Sequence, residues 1–148
     1  MIKPKYSLIA GGVISALISI LHIILAIKPE LYSYIGPGQG SAMTQIAGEG
    51  SSLITIATIT LALIFAIWAL YAFSGAGLIR TLPLQRMALI AIGGIYILRG
   101  LFLPTEINMV LTQGYPFRFM VFSTVSLVAG LLYLIGVLRK KASVALSK

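Results

Sequence analysis

The chain has 148 residues, 59% of them apolar and 9% charged, with no cysteine and a formal net charge of +8. A soluble domain of this size has too much surface to hide so much apolar side chain, and an ordinary one carries about 25% charged residues. The absence of cysteine excludes disulfides, thiolate metal sites and cysteine nucleophiles.

The apolar residues form four blocks, at 6–27, 53–74, 83–103 and 117–138. Each is close to the ~20 residues that cross a hydrocarbon layer as a helix. Membrane β-strands would be shorter and would alternate. The fold class is therefore all-α: one integral membrane domain over residues 1–148, a four-helix antiparallel bundle with outer loops at 28–52 and 104–116.

The basic residues orient it. Lys3, Lys5, Arg80, Arg86, Arg139, Lys140, Lys141 and Lys148 fall at the termini and the middle loop, with no acid among them. The other side carries Lys28, Arg118 and all three acids, Glu30, Glu49 and Glu106. The positive-inside rule puts both termini in the cytoplasm. The same placement answers the question that a charge of +8 raises about nucleic acid: the cations flank apolar spans, where lipid headgroups are the nearer anion.

Lys3 and Lys5 lead into the first block as in a signal peptide. The block is too long for such a segment, and the residues before Lys28 make a poor cleavage site. It reads as a retained first span. Gly11, Ser15 and Ser19 recur every fourth residue along it, a small-residue stripe suited to close helix packing within the chain or between copies. His22 falls on nearly the same face.

Lys28 and Pro29 end the span. Leu31, Tyr32, Tyr34 and Ile35 suit the membrane surface or a cap on the bundle. Pro37, Gly38 and Gly40 make a turn, and residues 43–48 suit one short helix. The Gly-rich stretch lacks the lysine and strand-to-helix context of a nucleotide loop. In the second span Thr55 and Thr58 share a face, while Trp68 and Tyr71 suit the aromatic belt at the inner boundary.

Pro83 is expected to open the third span, where its missing amide hydrogen costs nothing. Gly93 and Gly94 suit a close crossing in mid-membrane. Tyr96 and Arg99 lie three apart on one face, and Pro104 is expected to end the helix. Ser123 and Ser126 lie in the outer half of the fourth span.

His22 is six residues short of Lys28 and Arg99 five short of Pro104. Both then lie roughly 8 Å below the outer ends of their helices, at 1.5 Å rise per residue. Ionisable groups inside a span are costly and often functional. Arg99 either snorkels to the headgroups, paired with Glu106 or Glu49, or faces a ligand. His22 is either a neutral hydrogen-bonded side chain or part of the same pocket. A metal site has one histidine and no cysteine to draw on, and none is expected. No cofactor is indicated.

Three functions fit this pattern. The first is binding of a lipid, a quinone or another apolar or amphipathic small molecule in an outer-half pocket of His22, Tyr96, Arg99, Thr55, Thr58 and Ser126. The second is an enzyme on a lipid-soluble substrate, with His22 as acid or base, Glu49 or Glu106 tuning it, and Arg99 stabilising negative charge. The third is a subunit of a larger membrane complex or an oligomeric transporter. Membrane lipids, a lipid-soluble molecule, a second copy or another membrane protein are the partners these imply. The layout resembles small four-helix inner-membrane proteins of bacteria, on span count, loop length and charge bias alone.

Overall fold

The computed structural model describes residues 4–32, 45–46 and 52–145. Helix α1 runs Pro4–Ile27, α2 Ser52–Gly75, α3 Gln85–Gly100, α4 Leu103–Gln113 and α5 Arg118–Ala145. A single 3-10 turn, Pro29–Leu31, follows α1. Among the described residues four helical stretches are long and apolar enough to cross a membrane: Lys5–Ile27, Ser52–Gly75, Gln85–Gln113 and Arg118–Arg139. A helix satisfies its own backbone groups, which is the condition for entering hydrocarbon.

Beside an apolar core the bundle buries small hydroxyls and leaves large apolar side chains outside. Ser7, Ser15, Ser19, Ser74 and Ser123 are buried, while Leu17, Ile20, Leu63, Ile67 and Leu131 are exposed. Water would penalise so continuous an apolar surface. Acyl chains would not, and they leave the polar groups to find partners inside.

The spans alternate in direction and form two close pairs, α1 with α2 and α3 with α5. The start of α1, the end of α5 and the 76–84 loop mark one end of the bundle, here called proximal. The end of α1, the start of α2 and helix α4 mark the distal end. In the first pair, Ser19 Oγ donates to Ala62 O at 2.7 Å. In the second, the backbones nearly touch: a Cβ on Gly130 would lie 2.8 Å from Gly93 O and 2.9 Å from Ile97 N. Gly94 meets nothing within 4 Å. Of the Gly93–Gly94 couple expected to serve a crossing, only the first does.

At the proximal end one hydroxyl organises the turn. Buried Ser74 donates to Arg80 O at 2.9 Å and accepts from Leu82 N at 3.1 Å and from the Gln85 side-chain amide. Pro83 stays outside α3, contrary to the sequence expectation. Leu84 follows it at φ +50°, and the helix begins at Gln85. Tyr71 reaches this turn, its hydroxyl 3.3 Å from Pro83 O.

Two further expectations are corrected at the distal end. Pro104 does not terminate helical structure. It stands in the first turn of α4, where a residue without an amide hydrogen is tolerated. Nor is 104–116 an open loop, since α4 occupies most of it. Gln45 and Ile46 are helical, within the expected short helix. Tyr34, Ile35, the turn at 37–40 and Glu49 lie outside the described residues.

The glycine contacts give a paired test. Gly130→Ala places a methyl against backbone that cannot yield cheaply, and should destabilise the bundle by about 1–3 kcal/mol. Gly94→Ala should cost nothing measurable. Unfolding of both variants in detergent, followed by circular dichroism, checks the difference.

Candidate functional site

The middle of the bundle holds a run of hydrogen-bonded hydroxyls. Ser15 Oγ lies 2.9 Å from the Tyr96 hydroxyl and 2.8 Å from that of Tyr133. Tyr133 donates to Trp68 O at 2.9 Å. Each hydroxyl has one hydrogen to give. With Tyr133's hydrogen committed to Trp68 O, Ser15 must donate to Tyr133 and Tyr96 must donate to Ser15. The resulting chain, Tyr96 to Ser15 to Tyr133 to Trp68 O, touches α3, α1, α5 and α2 in turn. Ser15 and Tyr133 are fully buried and Tyr96 nearly so. Ser15 is 12 residues from the distal end of α1, about 18 Å at helical rise.

Aromatic rings surround this node. Trp68 meets Tyr96 edge-on at 5.1 Å and Phe65 edge-on at 5.1 Å, and His22 stacks at a tilt on Phe65, also at 5.1 Å. Trp68 is thus turned into the bundle, not set in the boundary belt that its position in the sequence suggested. Its neighbours Leu61 and Phe65 share its helical face, at spacings of seven and three.

Distal to the node the two helix pairs leave a cleft of about 420 Å³. Helices α1 and α2 supply His22, Phe65 and Trp68 to one wall; α3 and α5 supply Tyr96, Arg99, Phe122 and Ser126 to the other. Leu21, Leu61 and Ile95 also line it and are exposed on the bundle's side. The cleft therefore opens laterally, toward the space that acyl chains would occupy.

Four side chains singled out from the sequence, His22, Tyr96, Arg99 and Ser126, meet in this cleft. Thr55 and Thr58 are not among its lining residues. Thr58 donates to Ile54 O at 2.8 Å and accepts from the Tyr32 hydroxyl. Tyr32 follows the 3-10 turn and is itself 4% exposed. It covers Thr58 and keeps this part of α2 out of the cleft, and Thr55 lies almost a turn further out.

Arg99 sits near the end of α3 with 43% of its side chain exposed. One guanidinium nitrogen, Nη1, donates to Glu106 Oε1 at 3.0 Å and to Ser123 Oγ at 2.5 Å. Glu106 is in the first turn of α4, where the helix dipole favours a carboxylate. Its side chain is 12% exposed, and Oε2 is buried without a hydrogen-bond partner. Of the two expected roles for Arg99, the structure forms the ion pair and also places the residue on the cleft.

His22 is held by its own helix. Nδ1 lies 2.8 Å from Ile18 O. A neutral ring so bonded carries its hydrogen on Nδ1 and leaves Nε2 as an acceptor. The acid–base reading of His22, with Glu49 or Glu106 tuning it, needs a carboxylate near the ring. Among the described residues Glu106 is committed to Arg99, His22 is bonded to a carbonyl, and no three His, Asp or Glu side chains gather.

The sequence reading missed the aromatic wall and the hydroxyl chain. A signal was present in the shared face of Leu61, Phe65 and Trp68, and in Tyr133 as a lone phenol deep in an apolar block. The chain matches no family model, no curated protein and no solved structure.

The hydroxyl chain predicts a non-additive mutant series. Ser15→Ala strands the Tyr96 hydroxyl and should destabilise by about 1–2 kcal/mol. Adding Tyr96→Phe removes the stranded group and should recover part of that loss. Detergent unfolding of wild type, both single variants and the double variant measures it.

Proposed function

We propose that the protein is a multi-pass protein of the cell inner membrane that binds an amphipathic small molecule or lipid in the distal cleft. The single observation that carries this reading is the convergence of His22, Tyr96, Arg99 and Ser126 on one laterally open cleft with otherwise apolar walls. Small-molecule sites are built this way: mostly apolar surface with a few placed polar groups. Lateral opening suits a ligand that arrives dissolved in the bilayer. The polar head enters toward Arg99 and His22, and the apolar part leaves past Leu21, Leu61 and Ile95.

The distal end is assigned to the outer face and both termini to the cytoplasm. Arg80, Arg86 and Arg139 at the proximal end, with no acid beside them in the sequence, support that orientation. Tags at either terminus should be reached by impermeant reagents only after the inner membrane is breached. Labelling of intact cells stripped of their outer barrier checks this.

Binding is tested by native mass spectrometry of protein released from mild detergent, with a panel of decyl-chain amphiphiles of neutral and anionic head. Wild type should hold one panel molecule per chain. Arg99→Leu, combined with Glu106→Gln so that no carboxylate is stranded, should insert normally and bind that molecule at least tenfold more weakly. Equal binding by the double variant reduces Arg99 to an anchor, and failure of every probe on wild type removes the binding function.

A further inference from the structure

From the charge balance of the cleft we infer that its ligand is a neutral, ring-headed amphiphile bearing hydroxyl or carbonyl oxygens, of the quinol or quinone kind, and not an anionic lipid. This rests on the binding function proposed above and specifies its ligand.

Among the described residues, Arg99 is the one formally charged side chain lining the cleft. Alone in a low-dielectric wall it would select a phosphate or carboxylate head. It is not alone. Glu106 holds Nη1 at 3.0 Å from a carboxylate oxygen that is itself largely buried. The pair sums to zero, and an anion brought to Arg99 would be repelled by the Glu106 carboxylate 3.0 Å behind it. What remains on Arg99 is directional: Nε and Nη2 still carry hydrogens after both Nη1 hydrogens are taken by Glu106 and Ser123. A neutral oxygen accepts from such a donor without bringing a charge into oil.

The second polar group is complementary. With its Nδ1 hydrogen turned to Ile18 O, His22 presents an acceptor. A head that both accepts from Arg99 and donates to His22 is a hydroxyl-bearing one, as in a quinol. The oxidised form keeps only the acceptor half and should bind by the Arg99 end alone. The same cleft is lined by Phe65, Trp68, Tyr96 and Phe122, which suit a flat ring better than a branched headgroup. The volume of about 420 Å³ is near the lower end of the ~300–1,000 Å³ usual for small-molecule sites. It takes a ring and the first part of a tail, with the rest continuing into lipid past Leu61 and Ile95.

Trp68 is the only tryptophan in the chain and lines the cleft, so its fluorescence reports occupancy. The probes are a decyl-substituted benzoquinol, the corresponding quinone and decyl phosphate, titrated into the full-length protein in uncharged detergent. The quinol should quench Trp68 saturably, the quinone more weakly, and decyl phosphate at tenfold excess should not displace either. Glu106→Gln keeps the shape of the carboxylate and removes its charge. In that variant decyl phosphate should become an effective competitor, with affinity raised at least tenfold.

Three results overturn the inference. Preference of wild type for decyl phosphate would show an anion site and leave the cleft's binding function standing. An unchanged phosphate affinity in Glu106→Gln, with that variant's unfolding midpoint intact, would show that charge cancellation does not set selectivity. Absence of saturable binding by all three probes would remove both the ligand class and the binding function beneath it.

Discussion

The run of hydrogen bonds from Tyr96 through Ser15 and Tyr133 to Trp68 O is the constraint on which the arrangement of the spans depends. Hydrocarbon gives helices no hydrophobic reason to associate, so packing and polar pairing must fix how they meet. Here four consecutive groups come from four different helices. Rotating or sliding any one span leaves a hydroxyl without a partner in a medium that supplies none. The bond energies are individually modest, but together they select one rotational setting for every helix. Close backbone contact at Gly93 and Gly130 fixes the α3–α5 pair independently. Distal to the node the pairs bound the cleft, where aromatic side chains and a few polar groups stand between them.

Arg99 and Glu106 illustrate how a charge is kept in such a place. A lone guanidinium would be drawn to the surface or would demand an anion. The chain instead turns at Leu101–Phe102 and restarts as α4, which places Glu106 in the first turn of the new helix, seven residues after Arg99 and 3.0 Å from it. The restart is what lets Pro104 occupy a first-turn position. Ser123 accepts the second Nη1 hydrogen from the facing helix. Local geometry and cleft chemistry are thereby linked: the same α4 that shelters the ion pair makes the distal cleft electrically quiet.

Much of the architecture was legible in the sequence, and the pattern of what was not has a physical cause. Span positions are written residue by residue, because each side chain is transferred separately into oil; the four blocks match the four spans to within a few residues at most ends. Depth is equally local, and His22, Tyr96, Arg99 and Ser126, read as neighbours in level, do line one cleft. Rotation about a helix axis is different, since it depends on what the neighbouring helix offers. Trp68 reads as a boundary residue by position, yet Tyr133 and Tyr96 draw its face inward. Thr58 reads as a candidate pocket residue, yet Tyr32, twenty-six residues earlier, bonds its hydroxyl. Gly93 and Gly94 are indistinguishable in sequence, and only the partner helix decides which of them is used. Pro104 carries the same ambiguity, for proline marks helix starts as well as helix ends.

A mid-bundle hydroxyl chain sets the four spans so that a histidine and an arginine share one laterally open cleft. A crystal structure grown from a lipid mesophase tests it most directly. The account predicts Ser15 within hydrogen-bond distance of both tyrosines, and elongated non-protein density running from between His22 and Arg99 out past Ile95. A structure in which Phe65 and Phe122 close against each other and fill the cleft, with either His22 or Arg99 turned outward into lipid, would contradict it.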